Sequence, residues 1–184
     1  ALAVSVEYMT RRNRNYSSFF DVRSTFNRRI VNLMTSTRLY IDQIQQHVKI
    51  CSSGLVDEVK TSFSSEYDEL FEYRFMEALR NYVQHRGLAV HLTQHPSKRI
   101  EDDENSYIEY QTKIYTDKSY LEGDKAFKKA VFNEMPEKVE LFYAARVYME
   151  SISKVHSFIR NSVKEIVDKS RRDIESAISL YSDV

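Results

Sequence analysis

Apolar residues recur along most of this chain at intervals of three and four, the spacing that keeps one face of an α-helix turned to a core. From Ser17 to Ile50 the stripe is Phe19, Val22, Phe26, Ile30, Leu33, Thr37, Tyr40, Ile44 and Val48, which predicts a long helix closed by Gly54. From Leu55 to His85 it is Val59, Phe63, Tyr67, Leu70, Phe71, Phe75, Ala78 and Tyr82, a second long helix. The last runs from about Glu137 to Leu180 on Phe142, Ala145, Met149, Ile152, His156, Ile159, Val163 and Ile166, then Ile174, Ile178 and Tyr181. Lys164, Lys169, Arg171 and Arg172 fall on its outer side.

Between the second and last helices the period shortens to two. Ile108, Tyr110, Thr112 and Ile114 alternate with Glu109, Gln111 and Lys113, a strand pattern over residues 107–115. Its expected partner is Leu88 to about His95, with residues 96–105 as a polar connection that includes Lys98 and Arg99. A lone two-stranded hairpin is marginal in water, so this one must pack on the helices or on a second subunit. Asp124 then caps a short helix from Lys125 to Met135, with Phe127, Val131 and Phe132 inward and Pro136 ending it. The predicted fold is therefore mainly α: an up-and-down bundle of three long helices plus a short one, with a small β-hairpin insertion at about residues 88–115.

The chain has 184 residues, enough for one substantial core, so residues 17–184 read as a single domain. Residues 1–16 read as a flexible basic lead-in that ends in Arg11, Arg12, Asn13, Arg14 and Asn15, either a solvated tract or an arm that touches phosphates. Its opening, ALAVSVEYM, is only mildly apolar and has no basic region before it, and reads as a trimmed start rather than a signal peptide. Formal net charge is zero with 29% charged residues, so no global basic field draws the protein to nucleic acid, and any such binding must be local. A single cysteine, Cys51, excludes an internal disulfide and fits a reducing, cytoplasmic setting. No apolar run approaches the ~20 residues of a membrane span.

Candidate chemistry gathers between Met76 and His95, which hold three of the five histidines. On a helix Glu77, Asn81 and His85 stack along one stripe, flanked by Arg80 and Gln84, while Leu79, Tyr82 and Val83 face the apolar side and Gly87 stops the helix. Imidazole moves protons near neutral pH and guanidinium clamps phosphate oxygens, so the group suits phosphate chemistry without a metal. His85 could equally cap carbonyls at the helix end and pair with Glu77. His156 sits on a core stripe, His47 near a helix C-terminus, and His91 and His95 on the hairpin, where their spacing makes no metal site. Arg74 is off the stripe and is expected in a surface or interface pair.

Arg80-Asn81-Tyr82-Val83-Gln84-His85, with Glu77 upstream, resembles the Arg, polar residue, spacer, His signature of the HEPN superfamily. The resemblance covers chiefly Leu55 to His91. It implies an all-helical, metal-independent and cofactor-free endoribonuclease of a toxin or antiviral system, paired as a homodimer so that two motifs face each other across a groove that takes RNA. In that scheme His85 transfers the proton, Arg80 stabilises the phosphorane, Asn81 orients substrate or His85, and Glu77 holds Arg80 or tunes His85. Gln84, Arg86 and His91 would be lesser substrate contacts. HEPN toxins with a nucleotidyltransferase antitoxin commonly carry a Tyr just after the motif His; here Arg86, Gly87 and Leu88 follow, a departure that bears on any antitoxin partner. The same residues also admit a non-catalytic helical module that binds nucleotide, RNA or a partner protein, with the long last helix as the docking element.

Overall fold

In the computed structural model, which describes residues 2–10, 16–101 and 106–182, helix dominates and a small antiparallel β region joins it. The helices are α1 (Leu2–Thr10), α2 (Tyr16–Cys51), α3 (Val56–Glu69), α4 (Phe71–His85), α5 (Lys129–Glu134) and α6 (Leu141–Ser182). The strands are β1 (Leu92–Gln94), β2 (Ser97–Ile100), β3 (Tyr107–Tyr110), β4 (Lys113–Asp117) and β5 (Lys138–Glu140). No helix among the described residues is long and apolar enough to cross a membrane. The tract Arg11 to Asn15 lies outside the described residues.

Helices α2 and α6 run side by side in the same direction. Phe26 meets Phe142 at 5.7 Å between ring centroids, and further along Tyr40 Oη lies 2.7 Å from His156 Nδ1. His156 is thus a satisfied, half-buried histidine, as its place on a core stripe predicts. Helix α4 runs the opposite way against both, burying Tyr73, Phe75, Met76, Ala78, Leu79 and Tyr82. These six positions cover more than half its circumference, and the polar strip that remains is narrow.

The predicted second helix is two helices. Leu70 adopts an extended conformation (φ −110°, ψ 120°) between α3 and α4. Arg74 secures the break: its Nη1 donates to the carbonyls of Tyr67 (3.0 Å) and Asp68 (2.6 Å), which the broken helix leaves open, and its Nη2 donates to Glu134 Oε2 at 2.9 Å. The apolar stripe passes through the break, so periodicity could not reveal it. In α6 the predicted stripe holds at Ile152 and Ile159, but elsewhere the buried positions are one residue earlier: Leu141, Ala144, Tyr148 and Val155 are buried in place of Phe142, Ala145, Met149 and His156, and Met149 is exposed. The last helix also starts later than Glu137, because residues 138–140 pair as β5 and Glu140 then caps the helix by accepting from the amides of Phe142 (3.1 Å) and Tyr143 (2.7 Å). From Lys164 to Tyr181 every side chain except Asp168 is exposed, so about 27 Å of α6 stands beyond the core.

The predicted pairing of residues 88–95 with 107–115 holds at Leu92–Gln94 against Lys113–Tyr115, and the rest of the β region is paired otherwise. β1 pairs with β4 and β4 with β5 in one three-stranded sheet, while β2 and β3 form a separate outer ribbon. Alternation holds in β4, where Ile114 and Thr116 are buried, but fails in β3, whose four side chains are all exposed. The polar connection therefore contains a strand, Ser97–Ile100. The short helix starts at Lys129 rather than Lys125; Asp124 Oδ1 instead accepts the Ala126 amide (2.6 Å) in a turn before it. Residues 2–10 are helical where a flexible lead-in is predicted: Ser5 and Met9, one turn apart, are both buried, and Ser5 Oγ lies 2.7 Å from Thr112 Oγ1 beside β4.

Gly87 is needed for closeness rather than for a left-handed turn. Its φ is not positive, and a Cβ there would lie 2.4 Å from Tyr82 Oη. The segment after it is pinned by Asn27 of α2, buried with its Oδ1 accepting from Val90 N at 2.8 Å and its Nδ2 donating to Arg23 O at 3.1 Å. Asn27→Ala would leave the fully buried Val90 amide without its side-chain acceptor. A loss of about 2 kcal/mol is expected in the free energy of urea unfolding, with the slope unchanged.

Candidate functional site

Helix α4 carries the polar strip that the spacing predicts, and its buried face decides where that strip points. Phe75, Met76 and Leu79 are fully buried, so α4 cannot turn about its axis without exposing them. Glu77 and Arg80 are consequently half-buried, and Asn81, Gln84 and His85 are exposed.

Glu77 is held from two other helices. Tyr148 Oη of α6 donates to Glu77 Oε1 at 2.5 Å, and Arg38 of α2 brings Nη1 to 3.8 Å from Oε2. Tyr148 packs edge-on against Tyr73, with ring centroids 5.0 Å apart. Burial first, and then the Glu77 carboxylate, hold both phenols well above the usual tyrosine range, so each stays protonated. Glu77 also lines an open cleft of about 470 Å³ between α2 and the α3–α4 pair, beside Arg38, Phe63, Tyr67 and Tyr73.

Arg80 has no carboxylate partner among the described residues. Its Nη1 donates to Asn81 Oδ1 at 3.0 Å, and its Nε is buried with no hydrogen-bond partner. Asn81 thus positions the guanidinium, and in place of the Arg80–Glu77 pairing that the resemblance implied, Tyr148 and Arg38 surround Glu77. Such a guanidinium, with donors left open, is suited to an oxyanion. His85 closes α4, exposed and without a hydrogen bond among the described residues, five positions beyond Arg80. Five residues turn a helix by about 140°, so His85 lies on the Asn81 side of the strip and not directly above Arg80.

The lesser candidates divide. Gln84 is exposed on the same strip, whereas Arg86 turns to Asp124, with Nε 3.8 Å from Oδ2. His91 is structural in its contacts: half-buried, stacked on Tyr120 at 4.4 Å and 17°, its Nδ1 accepting the Asp117 amide at 3.1 Å. His95 packs against Tyr8 of α1, ring centroids 5.6 Å apart. Among the described residues no group of three or more His, Cys, Asp or Glu side chains is placed to hold a metal ion.

Sequence reasoning missed Tyr148 and Arg38, the two groups that fix Glu77. The only signal for Tyr148 was its position one residue from the predicted stripe, and Arg38 lies on another helix altogether. No family model, curated protein or solved structure matches this chain.

His91 gives the fold a pH dependence of known sign. Burial lowers its pKa below the ordinary 6.5, so the native chain binds fewer protons than the unfolded chain. The stability it contributes is complete above about pH 6.5 and is lost as the pH falls through the lowered native value. The urea midpoint should drop between about pH 7.5 and 5.5, and drop less in His91→Gln; equal slopes would remove His91 as the cause.

Proposed function

We propose that this chain is a metal-independent endoribonuclease of the HEPN type, a toxin or antiphage effector in the cytoplasm, with its chemistry at Arg80 and His85. The observation that carries the reading is Arg80: a half-buried guanidinium, steadied by Asn81, with no carboxylate in ion-pair contact among the described residues and an exposed histidine at the end of the same helix. A guanidinium so held prefers a ligand that brings negative charge, and the charge on a scissile phosphate grows toward the pentavalent transition state.

In this reading the 2′-OH adjacent to the scissile phosphate attacks phosphorus, His85 serves the proton transfer, and Arg80 binds the non-bridging oxygens. The bond to the leaving 5′-oxygen breaks and a cyclic phosphate remains. Glu77, already engaged by Tyr148 and Arg38, orders the helix beneath the site rather than acting on His85. Cleavage needs both an acid and a base, and one chain offers one such histidine, so a second copy across a groove supplies the other. DNA lacks the nucleophile and is not cut.

The non-catalytic alternative draws its support from a different region. Ile174 and Ile178, each 60% exposed, and Tyr181, 87% exposed, lie on the part of α6 that stands clear of the core, a surface for a partner protein.

The deciding assay is cleavage of labelled single-stranded RNA in excess chelator. The parent should yield cyclic-phosphate ends, and His85→Ala and Arg80→Ala should each be slower by about 10²-fold or more at unchanged far-ultraviolet dichroism. Absence of cleavage by the parent across several RNAs would leave the interaction module as the better reading.

A further inference from the structure

We infer that the lysine-lined cleft beside α5 is where the single strand flanking the Arg80–His85 site lays its phosphates. The inference rests on the nuclease reading and adds the binding surface that a chain of zero net charge requires. Within five residues the chain places Lys125, Lys128 and Lys129, and all three line one cleft of about 530 Å³ together with Phe132, Asn133 and Asp124. Lys125 and Lys129 are exposed and form no ion pair among the described residues. Lys128 donates to a neutral partner, Tyr67 Oη, at 2.6 Å. The one carboxylate in the wall, Asp124, is already engaged, by Arg86 at 3.8 Å and by the Ala126 amide at 2.6 Å. The cleft's net field is therefore positive.

Its position ties it to the candidate site. Residues 124–134 lie along α4, joined to it at one end by Asp124 with Arg86 and at the other by Glu134 with Arg74. Arg74 and Arg86 are twelve residues apart on or at the end of that helix, about 18 Å at the helical rise. The near end of the cleft thus meets the residue next to His85, and the far end follows α4 back along the bundle. A basic groove with an aromatic floor is the form that tracks a single-stranded backbone, and Phe132 supplies an apolar face among the lysines.

The test separates binding from cleavage by using a fluorescein-labelled 2′-O-methyl oligonucleotide, which has no free 2′-OH and cannot be cut by this chemistry. Its affinity is titrated over a range of salt for the parent, for Lys125→Gln with Lys129→Gln, and for Lys169→Gln with Arg172→Gln on the protruding half of α6. Because single strands lose a slope of about 0.7 per phosphate contact removed, the cleft double variant should bind with a log–log salt slope smaller by about 1.4, and the α6 variant like the parent. An unchanged slope in the cleft variant, equal losses in both variants, or no binding by the parent would each overturn the inference. A parent that binds with this lysine dependence yet leaves ordinary RNA intact overturns the nuclease reading alone. One that cuts RNA while the cleft lysines leave the slope untouched overturns the cleft alone.

Discussion

The structure depends on α4 being buried around all but a narrow strip. Phe75, Met76 and Leu79 take its inner face to zero exposure, and Tyr73, Ala78 and Tyr82 widen that face on either side. Close packing of this kind makes rotation costly, because a turn of one residue, about 100°, would carry Glu77 or Arg80 into the core. The direction of the polar strip is thus a consequence of core packing. Tyr148 adds a polar tether to the same arrangement, reaching from the core of α6 to the Glu77 carboxylate.

Charge is handled pair by pair. Glu66, buried in α3, is met by Lys154; Glu134 by Arg74; Asp124 by Arg86; Glu77 by Arg38. Each of these pairs sets a largely buried group against a more exposed one and joins two parts of the fold in a fixed relation. Arg74 does so twice, since it both closes the open carbonyls of α3 and anchors α5. Among the described residues, the positive charges near α4 that form no ion pair include Arg80, Lys125 and Lys129. A chain with no net charge can in this way still present a positive surface of a few side chains, strong at short range and screened beyond about 10 Å in ordinary salt.

The hairpin shows how far a repeat of two can be trusted. Residues 113–117 alternate because one face of β4 rests on the helices, whereas residues 107–110 show the same alternation on a ribbon with no buried face at all. What distinguishes the two stretches is their surroundings: β4 is flanked in its sheet by β1 and by β5, which arrives from residues 138–140, and it packs on α6. Ser5 and Thr112 are farther apart still, 107 positions in sequence, and the contact between their hydroxyls holds α1 beside the start of β4.

The long helices and the stripe of Glu77, Asn81 and His85 were legible in the sequence, because helical period is a local property and an apolar face of nine positions leaves little choice of structure. The core role of His156 followed from the same rule. Only the tertiary structure decided the break at Leu70, the one-residue shift that buries Tyr148 in place of Met149, the third strand, and the partners of Glu77. Each of these turns on contacts between residues tens of positions apart: Arg74 with Glu134, Tyr148 with Glu77, β4 with β5. Periodicity states that a face is apolar; which of two adjacent faces is buried, and where a helix yields to a better hydrogen bond, is settled by the neighbour that packs against it.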